Sequence, residues 1–216
     1  MDDSRLVPAL PGTPVARSAV EYVLSCESEP VANHSIRSYL FAAFLAEHEG
    51  LKPGTDFDAE LLFHACVLHD LGTSPSAPGR ERFEVEGADM AARFLTERGY
   101  GARQVDPVWE AIALHTSAGI AERRGVLAYL TRRGVGADFD IGADFVTDAQ
   151  GKAVHERYPR LNMVTALVDD IVRQAACSPQ AGARYTIAGE LLRERGEPGA
   201  VTSLERSKAT SRWDVV

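Results

Sequence analysis

A chain of 216 residues with 45% hydrophobic and 25% charged side chains has ordinary globular composition and is long enough to bury a substantial core. Its formal charge of −8 argues against a dedicated nucleic-acid surface, because phosphate binding needs clustered Lys and Arg. No apolar run approaches the ~18 residues of a membrane span, and the opening MDDSRLVPALPG lacks the apolar stretch of a secretory signal.

Taken in chain order, Thr13-Pro14 reads as an N-cap followed by proline at the first helical position, opening a helix to about Cys26. Pro30 ends that region. A second helix is expected from about His34 to Glu49, with Ile36, Leu40, Phe44 and Leu45 at helical spacing and Gly50 and Pro53 beyond it. Asp56 or Asp58 starts a third, AELLFHACVLHD, ending at Leu71-Gly72; its apolar residues cover most of the circumference, so it is predicted to be central and buried. Residues 73–82 form a loop, and a helix follows from about Phe83 to Arg98. Asp106-Pro107 repeats the cap-plus-proline signal before VWEAIALHT. A further helix covers roughly Glu122 to Arg133, closed by Gly134, and the segment GVGADFDIGADF is expected to be irregular. GKAVHERYP reads as a short helix halted by Pro159, Asn162 to Ala176 as a long amphipathic helix, and Thr186 to Arg195 as the last.

There is no run of alternating strands and no repeat. The predicted fold is an all-α single-domain bundle over residues 13–196, with an N-terminal arm over 1–12 and a polar, flexible tail over 197–216. Arg123-Arg124 and Arg132-Arg133 read as solvated charges at helix ends. Cys26, Cys66 and Cys177 are odd in number and lack CxxC spacing, which excludes a disulfide framework and a Cys-rich zinc site and suits a reducing cytoplasm.

The chemistry centres on His69-Asp70, at the end of the buried helix. An ionised Asp in apolar surroundings is costly unless something positive compensates, and a divalent cation does so by taking imidazole and carboxylate together. On its own the dipeptide reads more readily as a helix end meeting solvent. His34 lies 35 residues upstream, within NHSIRSY.

The order of a His, a His-Asp pair and a distal Asp resembles the HD superfamily. The strings NHSIRSY, HACVLHDLGT, RFEVEGADMAARFL, WEAIALHTSAGIAER and GVGADF, followed by YPR, are similar to its cyanamide-hydratase-like branch, over roughly residues 30 to 165. The resemblance implies an all-helical fold and one divalent metal, zinc or iron, with manganese admissible. It implies His34, His69 and Asp70 as ligands, with Asp138 as the fourth and Asp140 and Asp144 as competitors.

Around these, Asn33 is a candidate to bind water or a substrate amide, or simply to cap a helix. His115-Thr116 closes an apolar helix and is a candidate to position substrate or move protons. Glu84 and Glu86 begin their helix, and Glu86 is taken as the site-lining acid. His64, five residues before His69, is about 140° round a helix from it and faces elsewhere; His48 and His155 read as surface residues.

The activity implied is addition of water to a small molecule, with a nitrile-type C≡N group as the family precedent. A phosphohydrolase is the main alternative, with Arg37, Arg80 and Arg82 to hold phosphate. A diiron oxygenase would want two histidines between His-Asp and the last Asp, where only His115 stands. A metal-retaining binding protein is the non-enzyme alternative. The expected partner is a small-molecule substrate, not nucleic acid or membrane, and homo-oligomerisation stays open.

Overall fold

In the computed structural model, which describes residues 6–196, 200–208 and 211–215, ten α-helices account for the architecture and no strand occurs among the described residues. They are α1 (Pro14–Cys26), α2 (Glu29–His48), α3 (Ala59–Val67), α4 (Phe83–Glu97), α5 (Ala102–Leu114), α6 (Val126–Asp138), α7 (Asp148–Arg157), α8 (Met163–Ala175), α9 (Ile187–Arg195) and α10 (Ser203–Lys208). Thr13 and Asp58 act as the N-caps that the sequence suggests, whereas Asp106 lies inside a helix. The Thr13 side chain accepts the Ala16 N–H, the Asp58 carboxylate accepts those of Glu60 and Leu61, and Thr186 accepts that of Gly189.

Several boundaries differ from expectation, each for a physical reason. Pro30 does not end a segment. It sits in the first turn of α2, where its missing N–H costs nothing, so that helix begins five residues earlier than expected. α5 begins at Ala102, with Pro107 inside it. Pro107 and Arg103 are both exposed, so the carbonyl that loses its partner meets water.

The larger difference is α6, which runs through Gly134 and Gly136 to Asp138 instead of closing at Gly134. A Cβ at Gly134 would lie 2.3 Å from the Ser38 carbonyl oxygen and 2.7 Å from the Ala42 Cβ. The bare backbone therefore lets α6 seat directly on α2, and tertiary packing overrides low helix propensity. Placing Ala there would raise intrinsic helicity by about 1 kcal/mol, yet must push the helices apart. Gly134→Ala is expected to lower stability by about 1–3 kcal/mol in a denaturant melt; a more stable variant would show that the contact is slack.

α2 shares the central position with α3. Every residue from Val31 to Ala42 is buried, including Asn33, His34, Ser35, Arg37 and Ser38. These polar side chains turn to partners on other elements or on the helix itself. The Ser38 hydroxyl donates to the His34 carbonyl at 2.9 Å, and that of Ser35 to Glu27 at 3.3 Å.

The main apolar core gathers α1 to α6, and a second cluster joins α8 and α9 to Val31 and Phe83. The segment expected to be a flexible tail is packed where it is described. Trp213 is buried against Phe41 and His155, and its indole N–H donates to the Ala137 carbonyl at 2.8 Å. An indole supplies enough apolar surface to dock a segment that is otherwise polar.

Cys66 is buried, and burial pushes its thiol up to about 12, so it is an apolar filler in practice; no cysteine is paired. No helix among the described residues is long and apolar enough to cross a membrane.

His64 is buried away from the other histidines, with Nε2 3.4 Å from the Tyr100 hydroxyl and 3.6 Å from Glu60. Burial pulls its pKa down to about 4, against the pull of Glu60 and Asp58. The fold thus accommodates neutral His64. Its contribution is complete above the unfolded-state pKa near 6.5 and is lost as pH falls towards 4, on the order of 2–3 kcal/mol. Between those limits, stability of His64→Gln should fall less steeply with acidification than that of the parent; parallel curves would exclude His64 as the source.

Candidate metal centre

α2, the turn after α3 and the end of α5 deliver three imidazoles and a carboxylate to one point. Buried His34 comes from α2, buried His69 and Asp70 from the turn that follows α3, and buried His115 from the C-cap of α5. The turn after Asp70 is held tightly. A Cβ at Gly72 would fall 1.9 Å from the Phe83 carbonyl oxygen, and one at Gly87 would be 3.1 Å from the His69 carbonyl oxygen. Two glycines facing each other let α4 close over the His-Asp turn.

Each imidazole is fixed through one nitrogen and leaves the other facing inward. His34 Nδ1 bonds to Asp138 Oδ2 at 2.6 Å, His69 Nδ1 to the Cys66 carbonyl at 2.7 Å and His115 Nδ1 to the Ile112 carbonyl at 2.7 Å. A carbonyl can only accept, so His69 and His115 carry the proton on Nδ1 in their neutral forms and turn a lone pair inward from Nε2. His34 Nε2 and His69 Nε2 stand 3.6 and 3.1 Å from Asp70 Oδ2, and His115 Nε2 stands 3.9 Å from Asp70 Oδ1.

His34 Nε2, His69 Nε2 and Asp70 Oδ2 are buried without a hydrogen-bond partner, and the candidate ligand atoms of these three residues lie within 4.8 Å of one another. Buried polar atoms are seldom left so, and three together pointing at one spot suit a cation. An imidazole and carboxylate set, with second nitrogens bonded to a carboxylate and a backbone carbonyl, matches how divalent metals are held.

The charges agree with this. Burial works against ionising Asp70, but the adjacent His69, and then His34 and His115, hold it well below the usual carboxylate range. Burial, followed by the nearby His69, pulls His115 down to about 4, so it is neutral at pH 7.

Asp138 reaches the site from behind. Its carboxylate receives His34 Nδ1, and Arg37 grips it through Nε and Nη2, each at 2.7 Å; Arg160 adds a contact at 3.2 Å to Oδ1. Burial would raise its pKa, but Arg37 lowers it far below the usual range. Asp140 is turned to the Arg212 guanidinium and Asp144 is exposed.

Among the other expected residues, Thr116 lines the cavity beside the histidines and donates its hydroxyl to Glu84 at 2.5 Å. Asn33 is turned away, with its amide donating to the Pro159 carbonyl at 3.0 Å. Glu86 is also spent elsewhere. It collects the backbone N–H groups of Gly79, Arg80 and Glu81, a loop anchor in which burial is outweighed by those bonds and the pKa is lowered. The acid beside Thr116 is therefore Glu84, fully buried and paired with Arg82 at 3.0 Å.

His155 is buried, not on the surface, with Nε2 3.6 Å from Asp138 Oδ1; sandwiched near Phe41 and Trp213, it closes the far side of that carboxylate. Arg132, read in sequence as a solvated charge, lines the cavity.

The chain is similar to known proteins over most of its length. The chain is 30% identical over 171 residues, 74% of its length and 72% of theirs, to two proteins of Saccharomyces cerevisiae, cyanamide hydratase DDI2 and cyanamide hydratase DDI3. The HD domain family model matches residues 31–171, more than half the chain and a span that contains His34, His69, Asp70, His115 and Asp138. With these candidate metal ligands inside the matched span, the chain belongs to the HD domain family of metal-dependent hydrolases.

Proposed function

We propose that this chain adds water to the C≡N group of a small, uncharged nitrile-type molecule, as cyanamide hydratase does for cyanamide. The observation that carries this reading is the setting of the donor cluster. The unpartnered atoms of His34, His69 and Asp70 open into a cavity of about 140 Å³ whose walls are largely apolar, with Arg132 its only lysine or arginine among the described residues. A phosphate ester would want several cations there. Arg37 is committed to Asp138, Arg82 pairs with Glu84, and Arg80 lines a separate surface cleft.

His34, His69 and Asp70 would hold one zinc or iron ion, with Asp138 and Arg37 fixing the His34 ring. Bound there, such an ion would acidify water and polarise an electrophile. His115 Nε2, neutral and aimed at the same point, is placed to accept a proton from the attacking water and return it to the substrate nitrogen. The Thr116 hydroxyl has its proton committed to Glu84, so it presents lone pairs to a substrate N–H. Phe83 and Phe139, whose rings lie 5.6 and 5.2 Å from those of His115 and His34, keep bulk water from the reacting atoms. Asn33 acts as an anchor for residues 158–160. The net change is addition of one water across C≡N, oxygen to carbon and two hydrogens to nitrogen, giving an amide or urea.

Zinc- or iron-loaded protein incubated with cyanamide and N-alkylcyanamides in ¹⁸O-water should release ureas carrying one heavy oxygen. Release of inorganic phosphate from phosphomonoesters without turnover of any C≡N substrate would replace this reading with the phosphohydrolase one.

A further inference from the structure

The cavity has two chemically different kinds of lining. The polar part is made by His34, His69, Asp70, His115, Thr116 and Arg132. The apolar part includes Phe83 and Phe139 beside the histidines, and Leu167, Ile171, Ile187 and Leu204 from α8, α9 and α10. The cavity volume is close to that of an apolar cavity that takes up benzene, about 150 Å³. The apolar wall continues to the mouth, where Ile141 is 57% and Ile187 39% exposed. A molecule with three heavy atoms, such as cyanamide, has almost no carbon surface to set against this wall and would leave it lined with poorly bonded water.

We infer that the substrate carries a compact hydrocarbon substituent of up to about four carbons on its C≡N-bearing atom, seated against the α8–α9–α10 wall, so that unsubstituted cyanamide is a poor ligand for this chain. The inference rests on the nitrile-hydration reading for the reactive group, but the apolar subsite is an independent property of the cavity. Polar recognition falls to Thr116, the histidines and Arg132, and the size of the substituent is limited by the cavity volume of about 140 Å³. Selectivity comes from burial, at about fourfold in affinity per methylene group accommodated.

The test is a protein-observed NMR titration of the zinc-loaded protein with urea and with N-methyl-, N-ethyl-, N-propyl- and N-butylurea, alongside turnover of the matching cyanamides. Kd is expected to fall by at least about threefold per added methylene up to propyl or butyl, and this gradient should shrink in both Ile187→Ser and Leu204→Ser. A Kd independent of chain length overturns the inference, even if cyanamide itself is hydrated. So does a gradient unchanged in both variants, because binding would then lie elsewhere. A gradient that the variants flatten, with no cyanamide hydrated, upholds the apolar ligand class and overturns only the nitrile-hydration reading.

Discussion

Asp70→Asn protein, purified beside the parent, is expected to carry less than about a tenth of its zinc or iron and to lose on the order of 10³ in kcat/KM. Asp70 is the one carboxylate among the three inward-facing, unpartnered groups, and it supplies the negative charge that a divalent ion needs there. Asn keeps the shape and removes the charge. In the metal-free state the variant should still melt cooperatively, because Asn fills the same space against His34, His69 and His115. Elemental analysis with calorimetry separates the two effects. Equal metal content in variant and parent would place the ion elsewhere.

Arg37→Met should be the most damaging single change to stability, at about 3–5 kcal/mol. Arg37 is fully buried; it grips Asp138 through two nitrogens and also donates to the carbonyls of Tyr158 at 3.0 Å and Pro159 at 3.2 Å. Removing it leaves a buried carboxylate short of its main counter-charge and the Tyr158 carbonyl short of a donor, while the Pro159 carbonyl keeps Asn33. The double variant Arg37→Met/Asp138→Leu should recover much of the lost stability, since a well-packed apolar pair escapes the desolvation penalty. It should not recover metal affinity, because His34 Nδ1 then has no acceptor to fix its ring. Loss of an orienting partner of this kind typically weakens metal binding 10- to 100-fold. Denaturant titration and competitive chelation read the two quantities separately.

Much of this arrangement is legible in the sequence where the signal is local. Thr13-Pro14 and Asp58 announce helix starts because capping is decided within four residues, and the apolar run before His69-Asp70 marks a buried helix end. The three inward-facing candidate ligands follow from the family resemblance. What stays hidden depends on distant contacts. α2 looks amphipathic with a polar side, but its polar side chains point at α6 and the chain after α7, which no periodicity reveals. α6 passes through two glycines that would ordinarily stop it, because α2 needs a bare backbone to approach. Glu84 and Glu86 are two positions apart on one helix and cannot share a face; the choice between them turns on the loop at 79–81, whose N–H groups claim Glu86. Trp213 and His155 meet only through the tertiary fold.

The glycine contact between α2 and α6 lies one turn from the bond that joins His34 to Asp138: Gly134 is four residues before Asp138, and Ser38 four after His34. The two helices therefore act as the jaws of a caliper, set by the closest approach of their backbones. Any change that spreads the jaws at Gly134 bears on the His34–Asp138 bond and so on the orientation of a candidate ligand ring, although Gly134 itself touches no group of the centre.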